Sequence, residues 1–266
     1  MKGFYKHPLR GLWRGATFLF SLILIAVDFR RQVSSQGKSA SVKDRALWLH
    51  RSCRRYVELL HIDLEIIGKP PEGGLMVSNH MGYVDIIVLC AVTPCVFISK
   101  SDVKRWPIFG YFAGLGGTLF VNREKRSDVG RLADEMRAIL NSGAHLALFP
   151  EGTSSGGDTV LPFKSALLEP ITQIDLPVTP ACVVYSLPPG HGLVSEEVAY
   201  WADMTLAPHL LNIFSKERIG AKVIFGEPRV HKADRKQLAK ELHAEVLALQ
   251  QSVRGAGKEK EPVCVS

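Results

Sequence analysis

At 266 residues the chain is long enough to bury a sizeable core, as one large α/β domain or two small ones, and its 46 % apolar content is that of a globular enzyme. The five cysteines, Cys53, Cys90, Cys95, Cys182 and Cys264, include no Cys-x-x-Cys pair, which argues against a disulfide framework or a zinc site and fits a reducing compartment. The net charge of +7 is concentrated at one end: residues 1–61 hold 12 Lys/Arg against 3 Asp/Glu, and the remainder is near neutral, so an anionic surface is the expected partner.

Ala16 to Val27 is a continuous apolar run of twelve residues. As a helix it is about 18 Å long, against about 30 Å for a bilayer core, and extending it back to Gly11 admits Trp13 and Arg14, which would snorkel to the headgroups. The run ends in Asp28-Phe29-Arg30-Arg31 without a small-x-small cleavage site, which argues against a signal peptide. A second helix is predicted over Val42 to Leu60. Its stripe of Leu49, Cys53, Tyr56, Val57 and Leu60 is interleaved with Arg45, Arg51, Arg54 and Arg55, the pattern of an interfacial helix. Together these predict a two-helix anchor on a membrane, which makes nucleic acid the weaker choice of anionic partner.

Beyond residue 61, short strand-like runs alternate with helical patterns. Strands are predicted at Leu64–Ile67, Leu75–Ser78, Val96–Ser99, Thr118–Val121, His145–Phe149, Val178–Val184 and Val223–Gly226. Amphipathic stripes through Val129, Leu132, Met136 and Ile139, and through Leu238, Leu242, Val246 and Leu249, predict two helices, the second with Asp234 as its cap. The alternation argues for an α/β domain with a largely parallel sheet flanked by helices. Residues 255–266 read as a frayed tail.

Four segments carry chemistry. In Asn79-His80-Met81-Gly82-Tyr83-Val84-Asp85 the His and Asp stand five apart. On one ideal helix they would be about 140° apart. Here a strand ends near Ser78, Gly82 permits a turn and Asp85 opens an apolar helix, so the turn is expected to fold His80 back onto Asp85. A carboxylate on one ring nitrogen fixes the tautomer and leaves the other nitrogen as a base, with a substrate hydroxyl as nucleophile. In Phe149-Pro150-Glu151-Gly152-Thr153-Ser154 a strand runs into a small polar turn whose backbone N–H groups suit an oxyanion or phosphate. The strand before Arg123 delivers a phosphate-gripping guanidinium to its end. Pro177-Val178-Thr179-Pro180 brackets a strand entry.

In this order, with Lys100 and Pro107-Ile108-Phe109-Gly110 between them and Leu161-Pro162-Phe163-Lys164 after the third, these segments resemble the glycerolipid acyltransferase family, which includes the 1-acylglycerol-3-phosphate acyltransferases. The resemblance implies an acyltransferase domain over residues 62–254, His80 as general base with Asp85 as its partner, and Arg123, Glu151, Gly152 and Thr153 binding the acceptor. Asn79, Lys100 and Lys164 are accessory. It also implies an acyl-CoA or acyl carrier protein donor, a membrane lysolipid acceptor, no metal or cofactor, and residence on the cytoplasmic face of a bacterial inner membrane. The expected product is phosphatidic acid from 1-acylglycerol-3-phosphate. One departure bears on the acceptor: Ser154 stands where the family often has an arginine. Together with Trp201-Ala202-Asp203-Met204 it resembles the subgroup acting on lyso-ornithine lipids. Two readings compete from other classes. Gly152-Thr153-Ser154-Ser155-Gly156 fits the Gly-x-Ser-x-Gly elbow of serine hydrolases, although Gly156-Gly157-Asp158 interrupts the helix an elbow requires. A non-catalytic membrane-binding protein would explain the basic end but not the four ordered motifs.

Overall fold

A computed structural model describes residues 7–34, 41–106, 108–121 and 127–258. The chain opens with α1 (Pro8–Phe29), which continues as a π turn to Ser34, and α2 (Val42–Leu59). The sheet strands are β1 (Ile62–Ile67), β2 (Leu75–Ser78), β3 (Cys95–Lys100), β4 (Leu119–Val121), β5 (His145–Leu148), β6 (Pro177–Ser186), β7 (Ile219–Phe225) and β8 (Arg229–Val230). Between and after them come α3 (Tyr83–Val92), α4 (Phe109–Leu115), α5 (Ser127–Asn141), α6 (Val194–Glu197), α7 (Leu206–Ser215) and α8 (Arg235–Lys258).

The strand order is β1-β7-β6-β2-β5-β3-β4, with β8 on β6. All neighbours are parallel except β6, which runs antiparallel to β7 and β8. The largely parallel α/β sheet expected from the alternation is therefore present. The seven predicted strands all form; β8, two residues long, carries too little pattern to read. Side chains alternate faces with period two. Met76, Phe97, Ala147 and Val183 pack on one face with α1, α2, α3 and α7. Leu75, Val77, Val96 and Leu148 pack on the other with α5 and α8. Asp234 caps α8 as its position predicts, its Oδ1 accepting from the N–H of Lys236 at 2.7 Å.

The N-terminal helices depart from the two-helix anchor. α1 reaches back to Pro8, so its 22 residues give about 33 Å, enough to cross a bilayer core. Yet Phe18, Ile25 and Phe29 are buried in the same core as the sheet, while Leu9, Trp13, Leu19, Phe20, Ile23 and Leu24 are exposed by more than half. Arg14 does not snorkel. It is buried and donates to the Lys216 and Phe214 carbonyls, where its charge meets the negative end of α7. In α2 the apolar stripe packs inward, Trp48, Cys53 and Tyr56 all being buried, and Arg51, Arg54 and Arg55 face out. One apolar surface helix thus stands where two were expected, because the second has only its basic face left over.

Candidate active site

β2 ends at Ser78, and Asn79 extends its ladder with a side chain. Asn79 Nδ2 donates to Val183 O at 2.9 Å and the Val183 N–H donates to Asn79 Oδ1 at 2.8 Å. The chain then turns through Gly82, whose φ of +145° is open to glycine and strained for any other residue. A Cβ there would stand 2.9 Å from the Tyr200 backbone N. This turn brings His80 back to Asp85, which sits in the first turn of α3, where a carboxylate is favoured.

Asp85 is fully buried and has four donors. Its Oδ2 accepts from the N–H groups of Met81 and Gly82 at 2.5 and 2.9 Å and from His80 Nδ1 at 2.8 Å. Its Oδ1 accepts from the Tyr185 hydroxyl at 2.8 Å. A carboxylate only accepts, so Nδ1 of His80 carries the hydrogen and Nε2 presents a lone pair. The imidazole lies flat on Phe149, with centroids 4.1 Å apart and 16° between planes.

The Phe149–Asp158 turn grips His80 from behind. The His80 N–H donates to Glu151 Oε1 at 3.0 Å, and the Ser155 N–H donates to His80 O at 2.9 Å. Gln250 and Arg254 of α8 in turn hold the Gly157 carbonyl, and a Cβ on Gly157 would run 2.1 Å from Met81 Cε. Glu151 is 1 % exposed. Burial pushes its carboxyl up to about 8, with the His80 and Leu161 N–H groups pulling it down and Asp85 adding to the rise. The rise favours the uncharged carboxyl, whose Oε1 accepts from His80.

Nε2 of His80 has no hydrogen-bond partner among the described residues, and the imidazole lines a cavity of about 260 Å³. The walls are overwhelmingly apolar: Phe18, Leu22 and Ile25 from α1, Trp48 and Tyr56 from α2, and Phe109 from α4. The inner face of α1 is thus one wall of the cavity, and its outer face is the exposed apolar stripe. Polar groups are few, Ser99, Thr118 and Ser154 among them.

Of the residues singled out in the sequence, His80, Asp85 and Glu151 converge. Asn79 is buried and clamps β2 to β6. Glu151 backs the His80 peptide from behind and is not among the residues lining the cavity. Gly152 forms the turn, its N–H donating to Phe149 O at 3.1 Å, and Thr153 is exposed. Lys100 closes β3 with an exposed side chain, and Lys164 is exposed on the far arm of the turn. Arg123 and Pro107 lie outside the described residues. Ser154 faces the cavity, but bends follow it and no helix begins before Ser165, which removes the hydrolase elbow. Sequence reasoning missed Tyr185, Ser155 and the stacking role of Phe149. The alternation of β6 puts Tyr185 on the same side as Ala181 and Val183, but only the neighbouring β2 turn shows what that side faces.

A model of the acyltransferase family matches residues 63–184. The chain is 37 % identical over 221 residues to the lyso-ornithine lipid O-acyltransferase of Brucella abortus, covering 77 % of this chain and 81 % of that protein. It is 32 % identical over 170 residues to the 1-acyl-sn-glycerol-3-phosphate acyltransferase of Neisseria gonorrhoeae, covering 62 % and 65 %. The crystal structure of PlsC, the 1-acyl-sn-glycerophosphate (LPA) acyltransferase of Thermotoga maritima, has the same fold, with a TM-score of 0.70 at 16 % identity over 95 % of this chain and 98 % of that one. With an ordered set of motifs, a histidine opening on an apolar cavity and relatives that are O-acyltransferases across most of its length, the chain belongs to the acyltransferase family.

Proposed function

We propose that the protein moves a fatty acyl group from a thioester donor, acyl-CoA or acyl carrier protein, to the free hydroxyl of a lysolipid, with His80 as general base. The carrying observation is the division of labour on one imidazole: Nδ1 is held by a buried carboxylate and Nε2 opens into an apolar cavity. Nε2 takes the acceptor's hydroxyl proton as that oxygen attacks the thioester carbonyl. The tetrahedral oxyanion collapses, the C–S bond breaks, and the imidazolium returns its proton to the departing thiolate. Asp85 keeps the tautomer and balances the imidazolium. Base catalysis of this kind is worth about 10²–10⁴-fold. The cavity, one wall of which is α1, suits the acyl chain. The outer face of α1, with Arg30, Arg54 and Arg55 exposed nearby, suits an anionic bilayer surface, α1 lying along it with its inner face kept in the core.

We place a lyso-ornithine lipid ahead of 1-acylglycerol-3-phosphate as acceptor. Ser154 lines the cavity beside His80 where an arginine would answer a phosphate, and relatives named for the ornithine lipid match at 37 % and 35 %. The second acceptor is kept by relatives named for it and by Arg123. An acceptor screen in detergent tests both, with each donor, lyso-ornithine lipid, lysophosphatidic acid, and the His80→Ala and Ser154→Ala variants. Transfer to lyso-ornithine lipid, lost in His80→Ala and kept in Ser154→Ala, is expected. Transfer to lysophosphatidic acid alone would overturn the acceptor, and activity in His80→Ala would overturn the mechanism.

A further inference from the structure

We propose that Tyr185 is a positioning residue of the acyl transfer, its hydroxyl setting both the direction and the charge of the Asp85 carboxylate that His80 leans on. The proposal rests on the reading of His80 as general base. Tyr185 lies 100 residues from Asp85 in sequence, on β6, and belongs to no segment whose spacing suggests chemistry. It is 6 % exposed, and its hydroxyl donates to Asp85 Oδ1 at 2.8 Å. The other oxygen, Oδ2, takes all three remaining donors, among them His80 Nδ1. The carboxylate is therefore clamped at both ends. Without Tyr185, Oδ1 would be buried with no partner, and the three donors on Oδ2 would hold the carboxylate at that end alone.

The hydroxyl also acts on charge. A donor on Oδ1 draws negative charge away from Oδ2 and weakens the support that Asp85 gives to an imidazolium. Removing it leaves a fuller charge facing Nδ1–H, so His80 holds its proton to higher pH and less free base is present near neutrality. Tyr185 remains a donor throughout, because burial and the neighbouring Asp85 keep its phenol above the usual range. Other titratable groups face the pair. Glu151 comes from the loop beyond β5 and Tyr83 from α3, with His209 of α7 bonded to the Tyr83 hydroxyl at 2.8 Å, whereas Cys182 of β6 points to the other face of the sheet. Burial pushes Tyr83 upward and holds His209 down to about 4, so between pH 5 and 7 these stay uncharged. Glu151, at about 8, is the one that titrates nearby.

The test is the pH dependence of kcat/KM for Tyr185→Phe, which keeps the ring and removes one oxygen, measured in the wild-type and Glu151→Gln backgrounds so that the proton on Glu151 is not taken for that on His80. The expected result is a fall in kcat of about tenfold at pH 7, unchanged KM for donor and acceptor, and an acid limb displaced upward by about one pH unit. Replacing Tyr185 by 3-fluorotyrosine, a stronger donor of nearly the same shape, is expected to move the limb downward. This second replacement carries the test if the phenylalanine variant does not fold. An acid limb that superposes on wild type in both variants overturns the role of Tyr185. His80→Ala, run alongside, separates that failure from failure of the base: if it retains activity, the general-base reading itself is wrong, whatever the Tyr185 profiles show.

Discussion

Glu151→Gln offers a signed test of how the turn behind His80 is built. The Glu151 carboxyl is buried and raised to about 8, against an ordinary 4.5. A carboxyl raised on folding binds its proton more tightly in the folded protein than in the unfolded chain. Its contribution to stability is complete below about 4.5 and is lost as pH rises through about 8. Between pH 6 and pH 9 the loss is two pH units of proton binding, about 3 kcal/mol at 1.36 kcal/mol per unit. Glutamine keeps a carbonyl-type acceptor for the His80 N–H and has no proton to lose. The two proteins should therefore diverge with pH, the wild type falling behind the variant by about 6–12 °C in Tm between pH 6 and 9. Thermal unfolding in detergent across that range measures the divergence, and every group common to both proteins cancels in the difference. A Tm difference that stays flat would mean that Glu151 is already ionised in the folded protein and that a cation or water not visible in its hydrogen bonding balances it.

Gly82→Ala is expected to cost about 1–3 kcal/mol from its left-handed backbone and to displace the turn that carries two of the four Asp85 donors. We expect kcat to fall by about a hundredfold from the misplaced base, read from steady-state kinetics. Wild-type kcat would show that the turn tolerates a Cβ 2.9 Å from Tyr200. The two faces of α1 should separate cleanly. Phe18→Ala, on the buried face, is expected to lower stability by about 3–5 kcal/mol in denaturant unfolding while liposome pelleting persists. Serine at Phe20, Ile23 and Leu24 together, on the exposed face, should abolish pelleting and leave detergent stability near wild type. Pelleting that survives the triple change would remove α1 as the membrane surface.

Much of the site was legible because it is local. A strand end, a glycine turn and a helix start lie within seven residues from Asn79 to Asp85, and turn chemistry alone folds His80 onto Asp85. The same holds for the Asp234 cap and for the alternation of the strands, whose periods of two reflect backbone geometry that acts residue by residue. Chain order of the motifs was enough to identify the family, since the matched segment, residues 63–184, runs from β1 through β6 and so contains all of them.

What surrounds that local unit was decided by tertiary structure. Tyr185 reaches Asp85 across 100 residues, Glu151 reaches the His80 N–H across 71, and Arg14 reaches the end of α7 across 200. None of these pairings has a period or spacing, because each depends on which strands become neighbours and on the antiparallel turn of β6 beside β7. The same limit explains the N-terminus. An amphipathic stripe states that a helix has an apolar face, and α1 and α2 both have one. Whether that face meets lipid or protein is settled only when the sheet offers a surface to cover: it took the stripe of α2 whole and one side of α1, and left the other side of α1 exposed.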